Sequence, residues 1–355
     1  MVLRIPEGRL TQPTTLGPPL GSFAMTLKTH LLLALIVWVG FASHAWADEK
    51  TAPQETPPKE LRAKAEKGDP ESQCAMGDWY RKIGPSRDPL ESAKWFSRAA
   101  DQGYARGQHD LGIMLFYSDK SLEDKTEGLR WFRKAAEQGY VPAQSLLGSL
   151  FTSGSDVPKD EFEAAKWFRK AADQGDANSQ FNLAGLYSNG FGVPKDDNQA
   201  IKWYRKAADQ DYVSAFFQLG YIYMAGIGVP KDSAEAIKWF RKSAEKGDAG
   251  AQFQIGCFYW DGEGVVKDDE EATKWFIKSA DQGYEGGQFM LGAAYYLGRG
   301  VPKEPAEAYK WLLLAGAQGN KSARQYVPRV EEFLTAFQRT EGQRRARDFK
   351  PKTQW

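Results

Sequence analysis

Residues 196–232 read DDNQAIKWYRKAADQDYVSAFFQLGYIYMAGIGVPKD, and this stretch decides the fold because its pattern recurs along the chain. Its Trp belongs to a series in which each member lies 36 residues from the next: Trp95, Trp131, Trp167, Trp203, Trp239, Trp275 and Trp311. A second series has the same period: Gly112, Gly148, Ala184, Gly220, Gly256 and Gly292. A fixed period of this length predicts stacked structural repeats, seven of them over residues 61–319.

Each unit is predicted to form two helices joined by a turn. The first helix has apolar residues at four-residue steps, as in Ala251, Ile255 and Tyr259. A G-x-G-V-P-K-D turn, as at 226–232, suits a helix end because Gly adopts left-handed backbone and Pro cannot continue the helix. An acidic N-cap followed three residues later by Glu or Gln predicts a capping box at the start of each second helix. These pairs are Asp88/Glu91, Asp124/Glu127, Asp160/Glu163, Asp196/Gln199, Asp232/Glu235, Asp268/Glu271 and Glu304/Glu307.

The motifs AKWFRKAADQG at 165–175, AQFQIGCFY at 251–259 and GIGVPKD at 226–232 resemble the Sel-1-like repeat family, a relative of the tetratricopeptide repeats. The resemblance implies an all-α fold, an α-solenoid of seven 36-residue helix-turn-helix repeats that binds other proteins. Asp211 and Ala184 replace family glycines, and the turns at 83–88 and 118–124 lack the G-x-G-V pattern. In those units we expect altered turns and an unaltered fold. After residue 319 the pattern stops, and residues 320–355 are predicted to form capping helices and a basic tail that is mainly solvated. Thr335 and Gln338 have the spacing of a capping box and predict the start of one of these helices.

Composition excludes several classes of protein. Aromatic residues make up 13% of the chain, which is more than a disordered chain contains, and only one long apolar run is present, which excludes a membrane bundle. A formal net charge of +1 gives no electrostatic indication of nucleic-acid binding.

The N-terminus predicts export. Residues 31–42 form a 12-residue apolar run that follows Lys28 and precedes the small-residue site Ala45-Trp46-Ala47. This arrangement is typical of a secretory signal peptide, so residues 1–47 are interpreted as an extension and signal, with Met25 as the start and cleavage after Ala47. Residues 48–60 are a Pro-rich linker. We expect a periplasmic or secreted bacterial protein without a stable membrane anchor; an uncleaved anchor is the alternative.

Few residues suggest chemistry. Ser243 and Lys246 form an S-x-x-K sequence, but the other motifs of penicillin-recognising enzymes do not accompany it. His109 has no second His or thiolate cluster that would indicate a metal site. Cys74 and Cys257 lie five units apart, too far for a disulfide within one solenoid. We therefore predict no catalytic residue, no metal site and no cofactor.

The predicted function is that of an exported, non-catalytic scaffold or regulatory binder holding a protein or peptide on the concave face of the solenoid. The alternative is a secreted hydrolase of β-lactams or cell-wall material, as in cysteine-rich relatives of the family. We expect a monomer that does not bind nucleic acid. The predicted partner-binding residues form a stripe on the first helices: Phe217, Tyr221, Met224, Phe253, Trp260, Phe289 and Tyr296. The alternative is that the Phe residues of this stripe pack between adjacent units.

Overall fold

A computed structural model describes residues 56–82, 87–117 and 122–352. These residues form seventeen α-helices and no strand. The helices are α1 (Lys59–Glu66), α2 (Pro70–Arg81), α3 (Pro89–Asp101), α4 (Ala105–Phe116), α5 (Leu122–Glu137), α6 (Val141–Ser153), α7 (Glu161–Asp173), α8 (Ala177–Asn189), α9 (Asp197–Ala208), α10 (Val213–Ala225), α11 (Ser233–Glu245), α12 (Ala249–Asp261), α13 (Asp269–Asp281), α14 (Glu285–Leu297), α15 (Pro305–Ala317), α16 (Lys321–Glu331) and α17 (Ala336–Arg347).

The chain divides into two compact units. The N-terminal unit extends to residue 179 and includes residues 191–193, and the C-terminal unit contains residues 180–190 and everything from residue 194. Within each unit, helices that are consecutive in the sequence pack against each other, as α10 does on α11 and α12 on α13. The fold is therefore an all-α solenoid, as the period predicted.

Acidic N-caps begin most of the second helices, as expected. Asp232 and Asp268 each accept a hydrogen bond from the backbone N–H three residues on, at 2.9 Å. The reciprocal half of the predicted capping box does not form there, because the backbone N–H of Asp232 donates instead to the carbonyl of Tyr223 at 2.9 Å. The third-position carboxylate is used elsewhere: Glu271 accepts from the indole N–H of Trp275 at 2.9 Å.

Two predicted caps are wrong in detail. Helix α5 begins at Leu122, so Asp124 lies inside its first turn instead of capping it. Glu304 occupies the N-cap of α15 but its side chain makes no capping hydrogen bond. The Pro that follows at the first helical position leaves one fewer backbone N–H to satisfy there.

Two turn positions show why glycine is the usual residue there. Gly300 has φ of 67°, and a Cβ at this position would overlap the carbonyl of Asp269. Only glycine therefore allows the turn to lie against the second helix of the preceding repeat. Asp211 is the one non-glycine residue with positive φ among those described, at 60°. It keeps the left-handed geometry that glycine has in the other repeats, so this turn is not altered. The predicted altered turns at 83–88 and 118–124 lie largely outside the described residues.

The predicted structural role of the Trp series agrees with its burial. Five of the seven are buried and two, Trp131 and Trp239, are half-buried. The residue that follows each Trp of the series is buried at the centre of its repeat. It is Phe in five repeats, of which Phe240 and Phe276 have no exposed surface, and Tyr204 and Leu312 occupy the same position in the other two. A Cβ at Gly256 would clash with the Phe276 ring, which explains the glycine series in the first helices.

Buried Gln side chains link consecutive helices. In the repeat at 249–284, Gln252 donates to the carbonyl of Ala244 on the preceding second helix at 3.2 Å and accepts from Gln282 at 2.8 Å. Five further Gln pairs bond in the same way: Gln73/Gln102, Gln108/Gln138, Gln144/Gln174, Gln180/Gln210 and Gln288/Gln318. Burying these amides is tolerated because each has a partner.

Two capping helices follow the last repeat, and one prediction about them is corrected. The capping box of Thr335 and Gln338 at the start of α17 is confirmed. The basic residues of the tail are not simply solvated, because several form ion pairs within the unit. Arg345 pairs with Glu304 and Glu307 at 2.7 and 2.6 Å, and Lys352 with Asp281 at 2.7 Å.

Candidate functional site

On the first helices of the C-terminal unit, one row of residues lies on the side away from the repeat's main core residues, and ten of its twelve members are exposed or half-buried. On α10 the buried residues Ala215, Phe216, Leu219 and Gly220 form one side, and the opposite side contains Ser214, Gln218, Tyr221 and Ala225. The four-three-four spacing of the second set places it on one line along the helix. We call this row, with its equivalents 36 and 72 residues on, the first-helix stripe. Its other members are Gly250, Gln254, Cys257 and Asp261 on α12 and Gly286, Met290, Ala293 and Leu297 on α14; of these, Cys257 and Met290 are buried.

The predicted Phe contacts belong to the junctions between repeats. The Phe217 ring lies against Gly250 of the next repeat, where a Cβ would approach within 3.2 Å of the ring. Phe253 packs on Tyr284, the N-cap of the next first helix, with ring centroids 5.6 Å apart. Phe289 is 6% exposed and packs on Tyr326 at 5.9 Å. The three Phe rings therefore pack between adjacent repeats, as the alternative interpretation of the sequence predicted.

The expectation that Trp260 lies on an accessible surface is wrong. Its side chain is 3% exposed, with an edge-to-face contact to Phe276 at 5.8 Å. The guanidinium of Arg299 covers the other side of the indole, 3.6 Å from its centroid, and is itself held by Asp269. A fully covered ring cannot contact a partner, so we remove Trp260 and Phe289 from the candidate residues.

Five of the seven predicted residues are partly exposed, and two of these, Phe217 and Phe253, pack at the junctions between repeats. The other three are Tyr221, Met224 and Tyr296. Tyr221 and Met224 are half-buried and pack along one edge of the core cluster around Phe240 and Ile255. Tyr296 is also half-buried, on α14. Of these three, Tyr221 alone lies on the first-helix stripe.

Gln218 and Gln254, which were not among the predicted residues, are half-buried on the stripe at equivalent positions in neighbouring repeats. Gln252 and Gln254 have the same residue type, but they point about 200° apart around α12, given about 100° per residue. The helical spacing in the sequence distinguishes the two residues, because Gln252 lies at the spacing of the buried residues of α12 and Gln254 does not.

The two kinds of helix differ in charge. Helices α10, α12 and α14 contain no Lys or Arg, and their two acidic residues, Asp261 and Glu285, are exposed. The second helices contain the basic residues, many of which are engaged within the repeat. Lys206 lies 4.0 Å from the centroid of the Trp203 ring, and Lys238 pairs with Glu235 at 2.8 Å. The stripe therefore contains no cation, and its one charged member is Asp261.

The residues considered for chemistry have structural roles. Ser243 is fully buried, and its hydroxyl lies 3.5 Å from the carbonyl of Val213. Lys246 pairs instead with Asp211 at 3.1 Å, so the S-x-x-K sequence does not bring a base to the serine. His109 is largely buried, with its Nδ1 3.0 Å from Asp110.

The thiols are equally inert in their surroundings. Cys74 and Cys257 are both free and buried. Burial raises the pKa of the Cys74 thiol to about 12 and also raises the pKa of Cys257, so both stay protonated near neutral pH. Within the described part of the chain, no group of three or more His, Cys, Asp or Glu residues is placed to hold a metal ion.

The predicted signal and its cleavage site lie outside the described residues. None of the helices from Lys59 onward is long and apolar enough to cross a membrane.

Known proteins match the chain in three comparisons. The Sel1 repeat family matches seven times, at residues 70–104, 105–140, 141–176, 177–212, 214–248, 249–284 and 286–320. A Sel1 repeat protein from Oxalobacter formigenes is 32% identical, covers 70% of this chain and 98% of its own, and superposes with a TM-score of 0.57. A protective antigen of uropathogenic Escherichia coli with the same repeat fold is 28% identical over 81% of this chain and 78% of its own, with a TM-score of 0.38.

A curated plant protein shares a shorter stretch. An F-box protein of Arabidopsis thaliana is 38% identical over 56 residues, which is 16% of this chain and 16% of that protein's length. The seven family matches and the Oxalobacter structure together cover the repeats found from the Trp and Gly series. The chain belongs to the Sel1 repeat family.

Proposed function

We propose that this protein is an exported, non-catalytic scaffold that holds a protein segment on the first-helix stripe. Sel1 repeat solenoids commonly mediate protein–protein interaction, and the stripe is the part of the C-terminal unit best suited to it. The observation that supports this most is the contrast in charge. The stripe lacks cations and presents amides and an aromatic ring, whereas the charged residues of the second helices are engaged in caps, ion pairs and contacts with Trp.

The binding energy would come from surface that is already arranged. Because the Gln pairs and the Phe junctions fix the first helices, few side chains lose freedom when a partner binds. Tyr221 is the natural anchor, since a half-buried Tyr offers a large ring and a hydroxyl, and aromatic residues dominate interface hot spots. Its Tyr221→Ala variant is expected to weaken binding by about 2 kcal/mol.

Export is part of the proposal and rests on the sequence of residues 1–47. N-terminal sequencing of the protein from the periplasm or the medium is expected to find Asp48 first, because Ala45 and Ala47 satisfy the small-residue rule of signal cleavage. A protein that retains Met25 would be membrane-anchored and would contradict this part.

Affinity capture tests the binding part. The tagged protein is expressed in its own cells, crosslinked and purified, and the bound proteins are identified by mass spectrometry. The variants Tyr221→Ala and Lys238→Ala are compared with the unchanged protein. We expect one partner to be lost with Tyr221→Ala and kept with Lys238→Ala, which lies on an exposed second-helix position. Equal recovery in all three would contradict the proposal.

A further inference from the structure

We infer that the occupant of the first-helix stripe is an extended polypeptide segment, neutral or basic, that is recognised largely through its main chain. This inference rests on the proposed function and deepens it, since it states what chemistry the partner segment presents.

Two carboxamide side chains on the stripe support recognition of a peptide main chain. Gln218 and Gln254 stand 36 residues apart at the same place in neighbouring repeats, half-buried on the stripe. Neither side chain makes a hydrogen bond to another described residue, whereas Gln252 on the buried side of α12 has two partners. A carboxamide offers two donors and one acceptor oxygen, which is the complement of a peptide group. Two such groups in register can bond successive parts of one extended main chain.

The small size of the neighbouring side chains also supports recognition of a peptide main chain. Ser214 and Ala225 flank Gln218 on α10, and Ala293 lies at the equivalent of Tyr221 on α14, whereas Gly250 on α12 is covered by the Phe217 ring. Small residues allow another backbone to approach the helix surface, whereas a surface that recognised side chains alone would present deeper pockets. The Tyr221 ring rises among these small residues and can contact one side chain of the segment.

The charge of the first helices disfavours an acidic segment. The three first helices contain no cation, and the exposed carboxylates of Asp261 and Glu285 lie on α12 and at the start of α14. These helices offer an acidic segment no cation, and the exposed Glu285 carboxylate would repel it, which disfavours binding. A neutral segment incurs no such repulsion, and a Lys or Arg in the segment can pair with Glu285.

A library of random 12-residue peptides displayed on phage, selected on the purified full-length protein, tests the inference. The selected pool is expected to be depleted in Asp and Glu relative to the starting library. The best peptide is then synthesised with a fluorescent label, in a normal form and in a form N-methylated at alternate residues. N-methylation removes backbone donors and leaves the side chains, so we expect it to weaken binding by at least about tenfold.

Variants of the protein complete the test. The double variant Gln218→Ala/Gln254→Ala is expected to weaken the normal peptide by at least about tenfold, because about two hydrogen bonds are lost. The matched control Lys238→Ala/Lys274→Ala, on exposed second-helix positions, is expected to change affinity by less than about twofold. Thermal unfolding midpoints confirm that both double variants are folded.

The outcomes separate this inference from the proposed function. If Tyr221→Ala weakens the peptide but N-methylation and the Gln variants do not, the stripe binds its partner through side chains, and the inference is wrong while the proposed function stands. A pool enriched in Asp and Glu would also overturn the inference. If the selection yields no binder, or binders insensitive to every stripe variant, both the inference and the proposed function fail.

Discussion

The first and second helices of the C-terminal unit follow the same 36-residue period but present different chemistry to solvent. Lys and Arg occupy many exposed positions of the second helices, where they pair with Glu or lie on Trp rings. Helices α10, α12 and α14 hold no Lys or Arg, and the stripe along them holds two amides, small residues, Tyr221 and the carboxylate of Asp261. Both kinds of helix supply buried residues to the core, so they differ in the charge that they present to solvent, and this difference is the basis for proposing recognition on the first helices.

The largest expected change in the free energy of unfolding comes from replacing a Trp of the second helices. Trp203 is 4% exposed, and replacing it with Ala should lower the free energy of unfolding by about 3–5 kcal/mol because a large cavity remains. Chemical denaturation of the purified variant measures this. Gln218→Ala on the stripe is the control and should stay within about 0.5 kcal/mol of the unchanged protein. A Trp203 variant within 1 kcal/mol would mean that the second-helix Trp residues are not the structural series described here.

A pair of Gln residues on α12 sharpens the comparison within one helix. Gln252→Leu removes the partners of the Ala244 carbonyl and the Gln282 amide, and should cost about 1–3 kcal/mol. Gln254→Leu changes a residue of the stripe and should cost less than about 0.5 kcal/mol. Both are measured by denaturant unfolding. Similar losses for the two variants would show that the stripe is part of the core after all.

The smallest expected effect concerns the repeat that lacks the Gln pair. There Phe216 and Lys246 replace the two amides; Phe216 stacks on Trp239 at 6.1 Å, and Lys246 pairs with Asp211, whose backbone is left-handed. Asp211→Gly should relieve that backbone and raise the free energy of unfolding by up to about 1 kcal/mol.

The loss of the exposed ion pair reduces this gain. The same substitution is therefore also made in a Lys246→Ala background, where the gain should be larger, since a surface pair contributes about 0–1 kcal/mol. A loss of stability in both backgrounds would show that Asp211 has a favourable role not explained by the pair.

The sequence predicted the repeats, the helix pairs, the Trp series and the capping box at Thr335, because each depends on local pattern or on the fixed period. It could not place residues that share a type but differ in direction, as Gln252 and Gln254 do. Trp260 shows a second reason. Its burial depends on Arg299, which comes from the next repeat and covers the ring, and no pattern within one helix indicates that contact. Of the seven predicted partner-binding residues, the structure therefore buries Trp260 and Phe289 and leaves Tyr221 half-buried on the first-helix stripe, where its role in binding stays a prediction.

We propose that a partner lies on the first-helix stripe, and site-specific photocrosslinking tests this claim most directly. A benzophenone amino acid is placed at position 218 on the stripe or at position 238 on the second helix, and the protein is irradiated in its own cells. We predict a discrete crosslinked partner from position 218 and none from position 238. A partner captured from position 238 and not from position 218 would contradict the claim and would move the binding surface to the second helices.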